Sequence, residues 1–148
     1  MPVSLPDSVM LRELSTEDYA AAVALWASTP GVVLREDDTH EAMARYLERN
    51  PGLSFVALDG EMLVGAVLCG EDGRRGYLQH LAVAPAHRGR GIGRSLVASC
   101  LEGLRRRGIS RCHLFVVLDN EAGAEFWRSG GWRQREDLLL FSRDTGAG

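Results

Sequence analysis

Residues 81–94 read Leu81-Ala82-Val83-Ala84-Pro85-Ala86-His87-Arg88-Gly89-Arg90-Gly91-Ile92-Gly93-Arg94, and this stretch decides the fold. Its first residues end an apolar run that begins at Tyr77 and reads as a strand closed by Pro85. From Ile92 onward, Ile92, Leu96, Val97, Leu101 and Leu104 recur at helical spacing. The glycines and arginines between them form a loop that opens a helix. The first amides of a helix have no internal partner, and its dipole places roughly half a positive charge there. Gly89, Gly91 and Gly93 let an anion approach the backbone, and Arg88, Arg90 and Arg94 carry guanidinium groups that suit phosphate. Two other phosphate-binding patterns fail on spacing. No GxxxxGK followed by Ser or Thr is present, and the three glycines do not make a GxGxxG fingerprint with an acid about 20 positions later.

Working outward, residues 9–14 are a short apolar strand. Ser15 offers a helix cap with Asp18 three residues on, and Tyr19, Ala22, Val23 and Trp26 follow at helical spacing. Thr29-Pro30-Gly31 ends that helix. The acidic run Glu36-Asp37-Asp38 follows, and Thr39 caps a second helix that buries Met43, Tyr46 and Leu47 and stops at Asn50-Pro51-Gly52. Residues 53–58 and 62–69 flank Asp59-Gly60 and read as a hairpin. After the loop helix, Arg105, Arg106 and Arg107 suit the negative end of the helix dipole, and Gly108 sits where such a helix ends. Residues 111–118 read as a fifth strand. Asn120 opens a fourth helix that runs to Gly130-Gly131, and residues 138–141 read as a closing strand. The order β-α-α-β-β-β-α-β-α-β is an α/β chain with a mixed, α+β-type sheet. A single domain over residues 1–148 is expected, with residues 143–148 a frayed tail.

Composition narrows the function classes. A chain with 45% hydrophobic and 25% charged residues builds a core without disulfides. Its 17 basic and 20 acidic residues give a net charge of -3, which argues against a nucleic-acid partner. Cys69, Cys100 and Cys112 form no CxxC pair and sit in apolar stretches, so they read as reduced core thiols of a cytoplasmic protein. No apolar run approaches the roughly 20 residues of a membrane span, and residues 1–8 lack the features of a signal peptide. His40, His80, His87 and His113 show no metal-ligand spacing, so no metal is expected.

Leu81-Ala82-Val83-x-Pro85-x-x-Arg88-Gly89-x-Gly91-Ile92-Gly93 closely resembles the signature of the GNAT N-acetyltransferase superfamily, whose core is Arg/Gln-x-x-Gly-x-Gly/Ala. Asn120, Phe126, Gly131 and Trp132 resemble the family's second motif, with the same spacing from Asn120 to Gly131. The resemblance implies an enzyme that moves an acetyl group from acetyl-CoA to a primary amine by direct attack in a ternary complex. It implies a V-shaped splay between strands 4 and 5. Leu81, Ala82 and Val83 would then pair with the pantetheine arm, and an amide near Leu81 would polarise the thioester. The backbone from Arg88 through Gly89, Arg90, Gly91, Ile92 and Gly93 to Arg94 would hold the pyrophosphate. Asn120 would contact the pantetheine, with Phe126 and Trp127 beside its thiol end.

The sequence departs from the pattern at Gly123, where alanine is usual, and at Trp127, where many members carry the tyrosine that protonates the departing thiolate. An indole N–H donates a hydrogen bond but no proton near neutral pH. A catalytically silent acyl-CoA-binding module is therefore the alternative reading.

Candidates for the proton acceptor are His80 and His113. Alternation from Leu81 places His80 opposite Gln79 and Tyr77, and a bulge near Leu81, frequent in the family, would change that. The otherwise structural reading of both histidines stays open. Glu36, Asp37 and Asp38 are either the acceptor's acidic wall or a solvated loop with a helix cap. The expected acceptor is a small-molecule amine, with a protein or peptide N-terminus as the alternative. The triplet Leu138-Leu139-Leu140, apolar on both faces, suggests a homodimer.

Overall fold

A computed structural model describes residues 5–147. The expected domain over residues 1–148 and the end of its tail thus lie partly outside the described residues. The elements are β1 (Val9–Glu13), α1 (Tyr19–Ala27), α2 (His40–Arg49), β2 (Phe55–Asp59), β3 (Met62–Glu71), β4 (Gly76–Val83), α3 (Ile92–Arg106), β5 (Cys112–His113) and α4 (Glu121–Ser129). Short 3-10 turns cover Thr16–Asp18, Glu36–Asp38 and Pro85–His87. The sheet runs in the order β1-β2-β3-β4-β5. Its first three pairings are antiparallel and β4–β5 is parallel, so the sheet is mixed as expected.

Two apolar layers flank this sheet because β2 and β3 alternate faces. Val56, Ala66 and Leu68 face α1 and α2, where they meet Ala22, Leu25, Trp26 and Met43. Ala57, Val67 and Cys69 face α3, where they meet Ile92, Leu96, Val97, Cys100 and Leu104. Leu101, expected on the buried face of α3, is exposed, and Cys100 takes that place. The series Ile92, Leu96, Cys100, Leu104 at steps of four fixes the inner stripe.

The helix starts follow the side chains expected of them. Asp18 accepts from the Ser15 amide at 2.9 Å, and Arg12 donates twice to the same carboxylate at 2.7 and 2.8 Å. Those bonds hold the Asp18 carboxyl below the usual carboxylate range, the Arg12 contact contributing most. Thr39 Oγ1 accepts from the Ala42 amide at 3.1 Å and caps α2.

Two expected strands are corrected. The fifth strand is two residues long instead of eight, because β5 pairs with β4 only at Gly76–Cys112 and Tyr77–His113. Beyond that point residues 114–118 leave β4 and have no ladder to join. Residues 138–141 form no strand. Leu138, Leu139, Leu140 and Phe141 are 61%, 82%, 71% and 85% exposed. Apolar β-type composition supplies propensity, but a strand needs a backbone partner, and no free edge of this chain meets the segment. Among the described residues no helix is long and apolar enough to cross a membrane.

Candidate functional site

The site grows from one irregularity in β4. Ala82 pairs with Ala66 and Gln79 with Leu68, so Val67 faces both His80 and Leu81. That extra residue is a β-bulge. It explains why Leu78 packs on the α3 layer while Ala82, four positions on, packs on the opposite one. In an unbroken strand those two would share a face. His80 absorbs the bulge with φ 57 and is the one non-glycine residue at positive φ among the described residues. A left-handed conformation costs a side chain about 1–2 kcal/mol, so the surroundings must enforce it.

The bulge puts Gln79 and His80 on the α1–α2 side together. The His80 ring lies 5.3 Å from the Trp26 ring, and its Nε2 donates to Asp38 Oδ1 at 2.8 Å. Asp38 Oδ2 accepts from the Arg35 amide at 2.8 Å, and Tyr19 Oη donates to the Asp38 carbonyl at 2.6 Å. Asp37, Asp38, Met43, Tyr46, Leu68 and Gln79 line a cavity of about 720 Å³ between α2 and the sheet. That volume suits a small ligand or a peptide end. Burial pushes the Tyr46 phenol up, so it stays protonated.

On the other side of β4, the edge from Leu78 to Val83 has no strand beside it, since β5 stops after two pairs. This is the expected splay between strands 4 and 5. Val83 leads to the turn Pro85–His87, and His87 Nε2 donates to Asp59 Oδ2 at 2.9 Å, tying that turn to the β2–β3 tip. The bond holds the Asp59 carboxyl below the usual range. Arg88 Nε donates to the Val83 carbonyl at 2.9 Å. Gly89 and Gly91 take φ 76 and 84. Gly91 is the cap residue of α3 and brings no side chain to it. The first amides of α3 are thus free for an external anion, and open space surrounds Gly89. These residues fit a pyrophosphate.

Phe126 lies beneath the loop, where a Cβ on Gly93 would stand 3.4 Å from its ring. The Arg94 guanidinium sits 5.2 Å from the Phe126 centroid and donates to Ser129 Oγ at 2.9 Å, so α4 braces the start of α3. Asn120 Oδ1 accepts from the Gly123 amide at 3.0 Å and caps α4. A Cβ on Gly123 would lie 2.3 Å from Asn120 Nδ2, so the glycine at this position makes room for the cap.

Trp127 packs at 5.0 Å from Phe126 and 5.2 Å from Trp132, against the α3-side core. His113 does not join the site. It pairs with Tyr77 at the far end of β4, six residues before Val83, and its ring stacks on Tyr77 at 5.8 Å. Burial, with Arg75, Arg135 and Arg111 nearby, holds its imidazole below the ordinary value. Cys112 is no nucleophile, since burial pushes its thiol up to about 12. Glu36 and Asp37 are exposed beside Asp38. The Asp38–His80 contact joins two residues that spacing left unconnected, and the His87–Asp59 anchor had no sequence signal at all.

A profile of the Acetyltransferase (GNAT) family matches residues 11–132. N-alpha-acetyltransferase 30 of Schizosaccharomyces pombe is 34% identical over 118 residues, covering 73% of this chain and 79% of that protein. An acetyltransferase of Pectobacterium atrosepticum is 35% identical, covering 76% of this chain and 79% of its own. Among solved structures, the PaiA N-acetyltransferase of Thermoplasma acidophilum in complex with coenzyme A superposes with a TM-score of 0.71. It is 21% identical and covers 82% of this chain and 87% of its own, a likeness of fold. The chain belongs to the GNAT acetyltransferase family. It is an N-acetyltransferase whose acetyl donor is acetyl-CoA.

Proposed function

We propose that this enzyme acetylates a cationic primary amine of a small molecule held in the cavity between α2 and β4. The observation that carries the reading is the exposed Asp37 carboxylate on the wall of that cavity beside Gln79, on a lining whose other charged groups are Asp38, Glu48, Arg45 and Arg49. Carboxylates at a cavity mouth concentrate cations and orient their charged end. Acetyl-CoA supplies an activated acetyl group. The chain's part is to hold it and to present the amine. In this reading the amides from Arg88 to Arg94 grip the pyrophosphate, and Leu81, Ala82 and Val83 offer their open backbone edge to the pantetheine arm. The Leu81 amide faces the carbonyl that gains charge during attack. Asn120 and Phe126 shape the floor of the splay. Trp127, held among aromatic rings, lends shape and no proton, so the departing sulfur takes its proton from another source.

The resemblance to N-alpha-acetyltransferase 30 favours one second reading, a peptide α-amine in the same cavity. Thiol release with acetyl-CoA against a panel of polyamines, amino acids, drug-like amines and short peptides separates the two. We expect a small amine to give the highest kcat/KM, and Asp37→Asn to lower it by about tenfold through KM, the scale of one charge-assisted contact. Peptides outrunning every small amine would move the assignment to the second reading. Binding of acetyl-CoA with no turnover of any amine would leave a silent acyl-CoA-binding module.

The three unpaired cysteines suit a cytoplasmic setting. We further propose a homodimer in which residues 138–141 cover apolar surface of a second copy. Phe115, Leu118 and Leu138 to Phe141 are all exposed on the same chain. A second copy therefore offers both an apolar segment and an open sheet edge, and a two-fold pairing satisfies both at once. Sedimentation at micromolar concentration is expected to show a dimer, and Leu139→Asp with Phe141→Asp to shift it to monomer. Wild type sedimenting as a monomer would exclude this assembly.

A further inference from the structure

We propose that His80 is the proton acceptor for the amine and that Asp38 is its positioning residue, not an acceptor-recognition carboxylate. The inference rests on the cavity beside Gln79 being the amine site. Its grounds are geometric. Asp38 Oδ1 is 2.8 Å from His80 Nε2, and both side chains are only 15% exposed. A carboxylate only accepts, so the imidazole proton sits on Nε2 and Nδ1 keeps its lone pair. Nδ1 has no protein partner among the described residues and, unlike His87 Nδ1, is not sealed from solvent. The second Asp38 oxygen is taken by the Arg35 amide, and Tyr19 fixes the backbone behind it. Asp38 therefore has one hydrogen bond on each oxygen, and the two together fix its carboxylate toward His80. His80 itself stands in a left-handed backbone conformation that a glycine would take more readily. That bulge is what brings the imidazole to the α1–α2 side of the sheet, directly behind Asp38 and next in the chain to Gln79, both of which line the cavity.

The proton path balances as follows. The ammonium of the acceptor gives one proton to His80 Nδ1, which passes it to solvent. The freed nitrogen lone pair forms the bond to the acetyl carbon, and the electron pair of the C–S bond leaves with sulfur. The second nitrogen proton, shed as the amide forms, ends on that sulfur. His80 is thus needed before attack. The other titratable or charged groups facing this space are Asp37, Arg45, Tyr46, Glu48 and Arg49 around the cavity and Tyr19 of α1.

The test compares pH profiles of kcat/KM for wild type, His80→Asn and Asp38→Asn, with acetyl-CoA affinity measured on each. Asparagine tolerates the left-handed backbone, so His80→Asn keeps the bulge. A wild-type acetyl-CoA affinity in each variant shows that the fold is kept. We expect wild type to lose rate on the acid side. His80→Asn should lower kcat/KM by about a hundredfold or more and abolish that acid limb. Asp38→Asn should lower kcat about tenfold with the amine KM nearly unchanged, because the imidazole loses the carboxylate that orients it. If Asp38→Asn instead raises KM with kcat unchanged, Asp38 recognises the amine and the positioning role is overturned. If His80→Asn keeps wild-type kcat/KM, the proton-acceptor role is overturned while the cavity assignment stands. If wild type turns over no amine, the cavity assignment falls and this inference with it.

Discussion

Gly91→Val is expected to weaken acetyl-CoA binding by about thirty- to a hundredfold, or about 2–3 kcal/mol. Two effects add at this residue. Its φ of 84 is left-handed, and a β-branched side chain there is a steric outlier costing about 1–2 kcal/mol. The loop then relaxes by turning the first amides of α3 away from their common focus. Gly91 also caps α3 without a side chain, so any added atoms occupy the approach an anion would use. Calorimetry with coenzyme A reads the effect directly. Gly89→Val is the useful companion, since φ is 76 there but open space surrounds the position. A wild-type dissociation constant for Gly91→Val would mean that the start of α3 does not hold the pyrophosphate.

Leu96→Ala is expected to lower the folding free energy by about 3–5 kcal/mol, near the upper end for such truncations. Leu96 is fully buried, and its Cδ1 lies 3.0 Å from where a Cβ on Gly65 would stand. The leucine thus fills the hollow that a glycine leaves in the middle of β3. Ala57 and Ile92, both buried, border the same hollow at 3.2 Å, and the truncation leaves a void between them and α3. A small domain has roughly 5–15 kcal/mol in all, so the variant should sit near the edge of folding. Urea unfolding measures it, and a loss below about 1 kcal/mol would show that α3 slides to close the gap. Acetyl-CoA at a hundred times its dissociation constant should restore about 2.7 kcal/mol, because the ligand binds only the folded loop.

What the sequence made legible was local. Asp59-Gly60 announced the β2–β3 hairpin, Thr39 announced the start of α2, and the glycines of residues 89–93 announced the turn that opens α3. Each of these rests on backbone preferences carried by one or two residues. What stayed hidden was set by partners remote in the chain. Asp38 and His80 are 42 positions apart, and their meeting depends on a single residue inserted opposite Val67. His113 looked equivalent to His80 because both are histidines on strands; only the parallel register, which pairs His113 with Tyr77, separates them. Residues 138–141 misled for the opposite reason. Their composition is that of a strand, but composition does not say whether a ladder is waiting.

The bulge in β4 also bears on how this molecule can change by descent. Because one residue sets the parity of everything after it, a point substitution at His80 alters one side chain and leaves Leu81, Ala82 and Val83 facing as they do. Flattening the bulge at unchanged strand length would swap the two layers for the whole second half of β4, driving Ala82 to the α3 layer and Leu81 away from it, whereas losing one residue there would leave a regular strand with both on their present faces. The bulge is therefore the one place in β4 where the strand can shorten by a residue and keep its two layers. The turn from Glu36 to Asp38 joins no ladder, so insertions there disturb no register.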